Sequence, residues 1–90
     1  MTEPTLRLDE RSVSWREIDG EIVALDLSGG VYFSVNQSGV ALWHALTDGV
    51  TRSALITLLC DEYELTEDRA ATDVDAFIAS CHDKGLLLQS

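Results

Sequence analysis

Long hydrophobic runs are missing from this 90-residue chain: no apolar stretch approaches the ~18 residues of a membrane-spanning helix. The first ten residues, Met1 to Glu10, also lack the basic-then-apolar order of a secretory signal, which points to the cytoplasm. Basic residues are scarce. Six Lys and Arg face sixteen Asp and Glu, a net charge of −10 whose field repels phosphate backbones and anionic lipid heads. Nucleic acid and membrane surfaces are therefore poor partners. Cysteine is limited to Cys60 and Cys81, without CxxC spacing and each inside a periodic apolar segment, so both read as buried small hydrophobes.

Glycines number only six, and neither GxGxxG nor GxxxxGK[ST] occurs, so no nucleotide-cradling loop is expected. No EF-hand spacing is present. His44 and His82 fall on different predicted helices, and the adjacent Cys81 and His82 project about 100° apart on a helix, which argues against a metal site. Cys81 lies on an apolar stripe, where burial makes a thiol inert. Neither a catalytic residue nor a cofactor is expected, and the chain reads as a binding protein rather than an enzyme.

What is there suffices for one compact core: 46% of residues are hydrophobic, 24% are charged, and the length allows one domain, residues 1–90, with 1–5 as a flexible arm. From Ser12 to Val35 the apolar period is close to two. Val13 and Trp15, then Val23, Leu25 and Leu27, then Val31, Phe33 and Val35 mark three strands. Asp19-Gly20 and Ser28-Gly29-Gly30 supply the intervening turns of an antiparallel meander. Leu6 and Leu8 alternate as well, within an N-terminal arm.

After Val35 the period becomes helical. Asn36 is a suitable N-cap for a helix over 37–47 carrying Val40, Trp43 and Leu46, with Asp48-Gly49 as its stop. Thr51 caps a second helix with Leu55, Ile56, Leu58, Leu59 and Tyr63. Thr66 opens a third, in which Ala70, Val74, Phe77, Ile78 and Cys81 form an apolar stripe that Gly85 ends. The tail Leu86-Leu87-Leu88 is short enough to return to the core as extended chain. The fold class is α+β, a three-stranded antiparallel sheet followed by three helices in a winged-helix-like arrangement. One outer strand, Val31 to Val35, leaves an unpaired edge, which native proteins blunt unless they use it.

Winged-helix topology raises the alternative of a small DNA-binding regulator. A reading helix needs basic residues, yet the second helix holds Arg52 alone and the third holds Arg69 and Lys84 at opposite ends. Acidic residues instead crowd these helices, and Asp73 and Asp75 could steer a basic partner segment.

Gly20-Glu21-Ile22-Val23-Ala24-Leu25-Asp26, then Gly30-Val31-Tyr32-Phe33-Ser34-Val35-Asn36, then the Gly39 to Trp43 stretch and Asp48-Gly49, resemble the PqqD-like family of peptide recognition elements. The pattern is a hydrophobic strand, a turn, a Tyr-Phe strand, an Asn-x-x-Gly helix start and a helix ending in Asp-Gly, and it covers the chain from about Leu6 to Leu88. The resemblance implies a non-catalytic protein that binds the leader segment of a ribosomally made precursor peptide. The leader would add as a strand beside the third strand and lie against the third helix. A stand-alone form looks most like the discrete recognition protein of lasso peptide biosynthesis, whose partners are a leader peptidase of the transglutaminase-like cysteine protease type and a lasso cyclase that uses ATP. The same small fold also serves the pyrroloquinoline quinone pathway, where the partner is a radical SAM enzyme.

In the peptide-binding mode so implied, main-chain pairing supplies sequence-independent affinity and side-chain pockets supply selection. Residues Val31, Tyr32, Phe33, Ser34 and Val35 are the expected pairing edge, and Ala71, Val74, Asp75 and Ile78 the expected groove wall on the third helix. Core packing is the competing role for Phe33, Val74 and Ile78. A further alternative is an adaptor that docks a folded enzyme through exposed apolar surface without a peptide.

Overall fold

A computed structural model describes residues 3–35 and 37–89. In chain order the elements are β1 (Leu6–Leu8), β2 (Val13–Ile18), β3 (Glu21–Asp26), β4 (Val31–Val35), α1 (Gln37–Asp48), α2 (Arg52–Tyr63), α3 (Glu67–Asp83) and β5 (Leu87–Gln89). Strands β2, β3 and β4 form the expected antiparallel meander, in that order. The first turn places Asp19 and Gly20 at φ values of 52° and 80°, the left-handed conformations of a two-residue hairpin. In the second, the Asp26 carboxylate accepts the amides of Ser28 and Gly29, and the Gly30 amide donates to the Asp26 carbonyl.

Cross-strand register decides which face of the sheet is buried. Trp15, Ala24 and Phe33 lie opposite one another, as do Ile22 and Val35, and this face turns toward the helices. Of the alternating residues that mark the second strand in the sequence, Leu27 falls just past β3 and is exposed, and the buried residues of β3 are Ile22 and Ala24. Residues 22–25 are apolar at both parities, so period alone does not choose a face. The register with the Trp15 and Phe33 rows does.

Thr51 and Thr66 cap α2 and α3 as expected, accepting from the amides of Ala54 and Arg69. The expected cap Asn36 lies outside the described residues. The helices bury Trp43, Leu46, Leu55, Leu59, Ala70 and Val74 against the sheet. The two chain ends complete this core. Strand β1 pairs with β5 in a second, two-stranded antiparallel sheet, and Leu6, Leu8 and Leu86 are all buried. Arg7 donates to the Asp48 carbonyl at the C-terminal end of α1, where the helix dipole favours a cation. Cys81 is buried, and desolvation pushes its thiol up to about 11. Cys60 is only half-buried, contrary to the sequence expectation. His44 is exposed and lies 2.8 Å from Glu17 of β2.

Candidate functional site

The site begins at the free edge of β4. Hydrogen-bonded and non-bonded pairs alternate along an antiparallel ladder. The Leu27 amide donates to the Ser12 carbonyl, so Leu25 and Val23, two and four residues back, also direct their amides and carbonyls toward β2. Ile22, Ala24 and Asp26 then face β4, where their partners are Val35, Phe33 and Val31. Tyr32 and Ser34 are left with N–H and C=O groups pointing away from the sheet. No other strand pairs with that edge among the described residues.

Beside this edge runs a groove of about 720 Å³ between β4 and α3. Its apolar floor includes Phe33, Val35, Leu42, Trp43, Leu59 and Phe77. Gly39 makes the floor compact, because a Cβ there would lie 2.5 Å from a Val35 methyl and 3.2 Å from the Phe77 ring. Trp43 meets Phe33 edge-on at 6.0 Å and Trp15 at 5.9 Å, and its buried Nε1 has no acceptor among the described residues. At one end Tyr63 donates its hydroxyl to the Gln37 carbonyl at 2.9 Å, fixing α2 to α1, with Leu65 and Arg69 nearby on the rim. Arg69 lies 3.6 Å from Asp73, one turn along α3. At the other end the Lys84 ammonium donates to Ser80 Oγ at 3.0 Å and stands 5.2 Å from the centre of the Phe33 ring.

The expected edge residues share one strand but divide between its faces. Phe33 and Val35 line the groove with their side chains, and Ser34 borders it. Val31 and Tyr32 are 57% and 72% exposed and lie outside the lining. On α3 none of the expected residues Ala71, Val74, Asp75 and Ile78 borders this groove. Val74 is wholly buried, Ala71 and Ile78 pack against the core, and Asp75 pairs with Arg52 of α2. The wall is formed instead by Arg69, Asp73, Ala76, Phe77, Ser80 and Lys84. At 100° per residue the two sets point roughly 160° apart around the helix. The apolar stripe of α3 is visible in the sequence, but which of its flanks meets β4 depends on how the helix is laid across the sheet. The exposed small residues Ala76 and Ser80, which leave room for a ligand, are the signal that sequence reading missed.

Among the described residues no cluster of three or more His, Cys, Asp or Glu side chains forms a metal site, and no helix is long and apolar enough to cross a membrane. The arrangement offers a peptide two things at once, free main-chain partners and an apolar trough for alternate side chains.

Comparison with known proteins agrees with this geometry. The solved structure described as TbiB1 in complex with the TbiA(beta) leader peptide superposes with a TM-score of 0.82 at 27% identity, covering 90% of this chain and 93% of that one. A lasso peptide synthetase B1 complexed with the leader peptide gives 0.79 at 28% identity, covering 92% and 96%. No curated protein sequence matches. The profile of the family described as coenzyme PQQ synthesis protein D matches residues 21–87, from the start of β3 into β5, and the chain belongs to this PqqD family.

Proposed function

We propose that this protein is a recognition element of lasso peptide biosynthesis that binds the leader of a ribosomally made precursor by strand addition to β4. The observation that carries the reading is the pair of outward amides at Tyr32 and Ser34 beside the apolar groove. A leader strand pairing there would place every second side chain over Phe33, Val35 and Phe77. Support comes from two proteins of the same size and fold that were solved with leader peptides bound. The protein acts without catalysis of its own. It holds the leader in the cytoplasm and presents the precursor to a leader peptidase of the transglutaminase-like cysteine protease type and to a lasso cyclase.

The test is fluorescence polarisation with the labelled leader of the precursor encoded in the gene neighbourhood. Saturable binding between nanomolar and low micromolar, about −8 to −12 kcal/mol, is expected. No binding at ~100 μM overturns the reading. The family description favours a second reading, service to a radical SAM enzyme in the pyrroloquinoline quinone pathway. A neighbouring precursor, protease and cyclase favour the first, and a radical SAM neighbour the second.

A further inference from the structure

We propose that Lys84 and Phe33 form a subsite for one acidic side chain of the bound peptide, a selectivity that rests on the leader-binding reading above. Lys84, the residue that caps the C-terminal end of α3, is the last of the groove wall, and its ammonium stands over the Phe33 ring at 5.2 Å. An ammonium has three donors. One goes to Ser80 Oγ, and no carboxylate lies within ion-pair distance among the described residues. Arg69, at the far end of the same wall, differs in that Asp73 already accompanies it.

Position makes Lys84 available to a peptide. Phe33 turns its side chain toward the helices, and its neighbours Tyr32 and Ser34 carry the outward amides. A strand added to β4 runs about 4.8 Å beyond it. The peptide side chain level with Phe33 and pointing to the helices then enters the space beside Lys84. A carboxylate there gains a charge-assisted hydrogen bond, partly sheltered from water by the aromatic ring.

The charge distribution favours the same ligand chemistry. The chain carries −10 overall, yet two of its six basic residues border the groove and Asp73 is the one described acid that does. The residues that line the groove thus carry one more positive than negative charge within an acidic protein. A basic peptide residue placed beside Lys84 would meet a like charge, and an apolar one would leave the ammonium without its counter-charge. The long-range field slows the approach of an acidic peptide, so the preference belongs to dissociation rather than association.

The experiment uses fluorescein-labelled copies of the leader, each carrying Glu, Gln or Lys at one position of the pairing strand, with the full-length protein and its Lys84→Met and Lys84→Glu variants. Circular dichroism establishes that both variants are folded, which is expected because the Lys84 ammonium reaches into open groove. One position should prefer Glu over Gln by threefold to tenfold in the wild type, through slower dissociation. Lys84→Met should abolish that preference, and Lys84→Glu should reverse it and favour Lys at the same position. Tight wild-type binding with no Glu preference, or with one that survives Lys84→Met, overturns the subsite alone. Failure of the wild type to bind any of the peptides overturns the leader-binding reading and the subsite with it.

Discussion

Arg52 grips Asp75 through two hydrogen bonds, Nε to Oδ1 at 2.7 Å and Nη2 to Oδ2 at 2.9 Å, and so ties the first turn of α2 to the middle of α3. The bond from Arg52 holds the Asp75 carboxyl below its ordinary value. This pair sits on the side of α3 away from the groove, and Asp73 is likewise accompanied by Arg69. Neither carboxylate is an isolated charge, so any steering of a basic peptide would come from the net charge of −10 rather than from these two groups alone.

Asp75→Asn should accordingly leave leader association and dissociation rates unchanged while lowering the thermal midpoint slightly, since exposed pairs contribute little. A depressed folded-state pKa stabilises above the unfolded value, near 3.8, and that gain is lost as pH falls through the folded value. The midpoint difference between wild type and variant should therefore be constant well above 3.8 and shrink as pH falls through the depressed folded-state value. Calorimetry across this range checks the sign, and stopped-flow fluorescence checks the rates.

Ser34→Pro tests the pairing edge. The Ser34 amide points outward from β4, so its loss does not break the ladder to β3, and proline is tolerated on an edge strand in that orientation. Circular dichroism should stay as in the wild type. Leader affinity should fall at least tenfold, because a donor disappears and the ring obstructs the incoming strand. A folded variant that binds normally would place the peptide elsewhere.

Val74 and Ala76 separate core from groove within two residues of α3. Val74→Ala removes two buried methyl groups and should cost about 2 kcal/mol of stability, read by urea denaturation, with leader affinity unchanged. Ala76→Phe fills an exposed part of the groove wall. It should weaken the leader tenfold or more without lowering the thermal midpoint. The opposite pattern would put the peptide against the other flank of the helix.

Much of this architecture was legible in the sequence because local chemistry specifies it. Asp19-Gly20 encodes a turn, Thr51 and Thr66 encode caps, and the 70-74-77-81 spacing encodes the buried stripe of α3. What escaped reading depends on contacts between distant segments. The parity of β3 rests on its register with Trp15 and Phe33, and the pairing of Leu6–Leu8 with Leu87–Gln89 joins opposite ends of the chain. The lining of the groove depends on the same kind of contact. Arg69, Ala76, Ser80 and Lys84 look like an ordinary solvated flank until β4 is set beside them.

Gly39 links the fold to the groove most tightly, and its replacement tests that link. Its φ is not in the left-handed region, so the constraint is space: an added Cβ would fall 2.5 Å from Val35 Cγ1 and 3.2 Å from Phe77 Cε1. The Val35 methyl is therefore the contact that must be relieved, although Val35 is held by its pairing with Ile22, while the Phe77 ring needs to give only a few tenths of an ångström; both side chains line the groove. Gly39→Ala should lower stability by about 1 to 3 kcal/mol, the usual cost of overpacking. Better helix propensity of Ala recovers up to ~1 kcal/mol of that. Displacing Val35, with the smaller shift of Phe77, would also reshape the groove floor, so leader binding should weaken even in conditions where the variant is fully folded. Adding Val35→Ala removes the methyl group that the new Cβ meets at 2.5 Å and should restore part of the stability. Loss of stability without loss of affinity would mean that the backbones of β4 and α1, rather than the Val35 and Phe77 side chains, absorb the strain and that this stretch of floor does not contact the peptide.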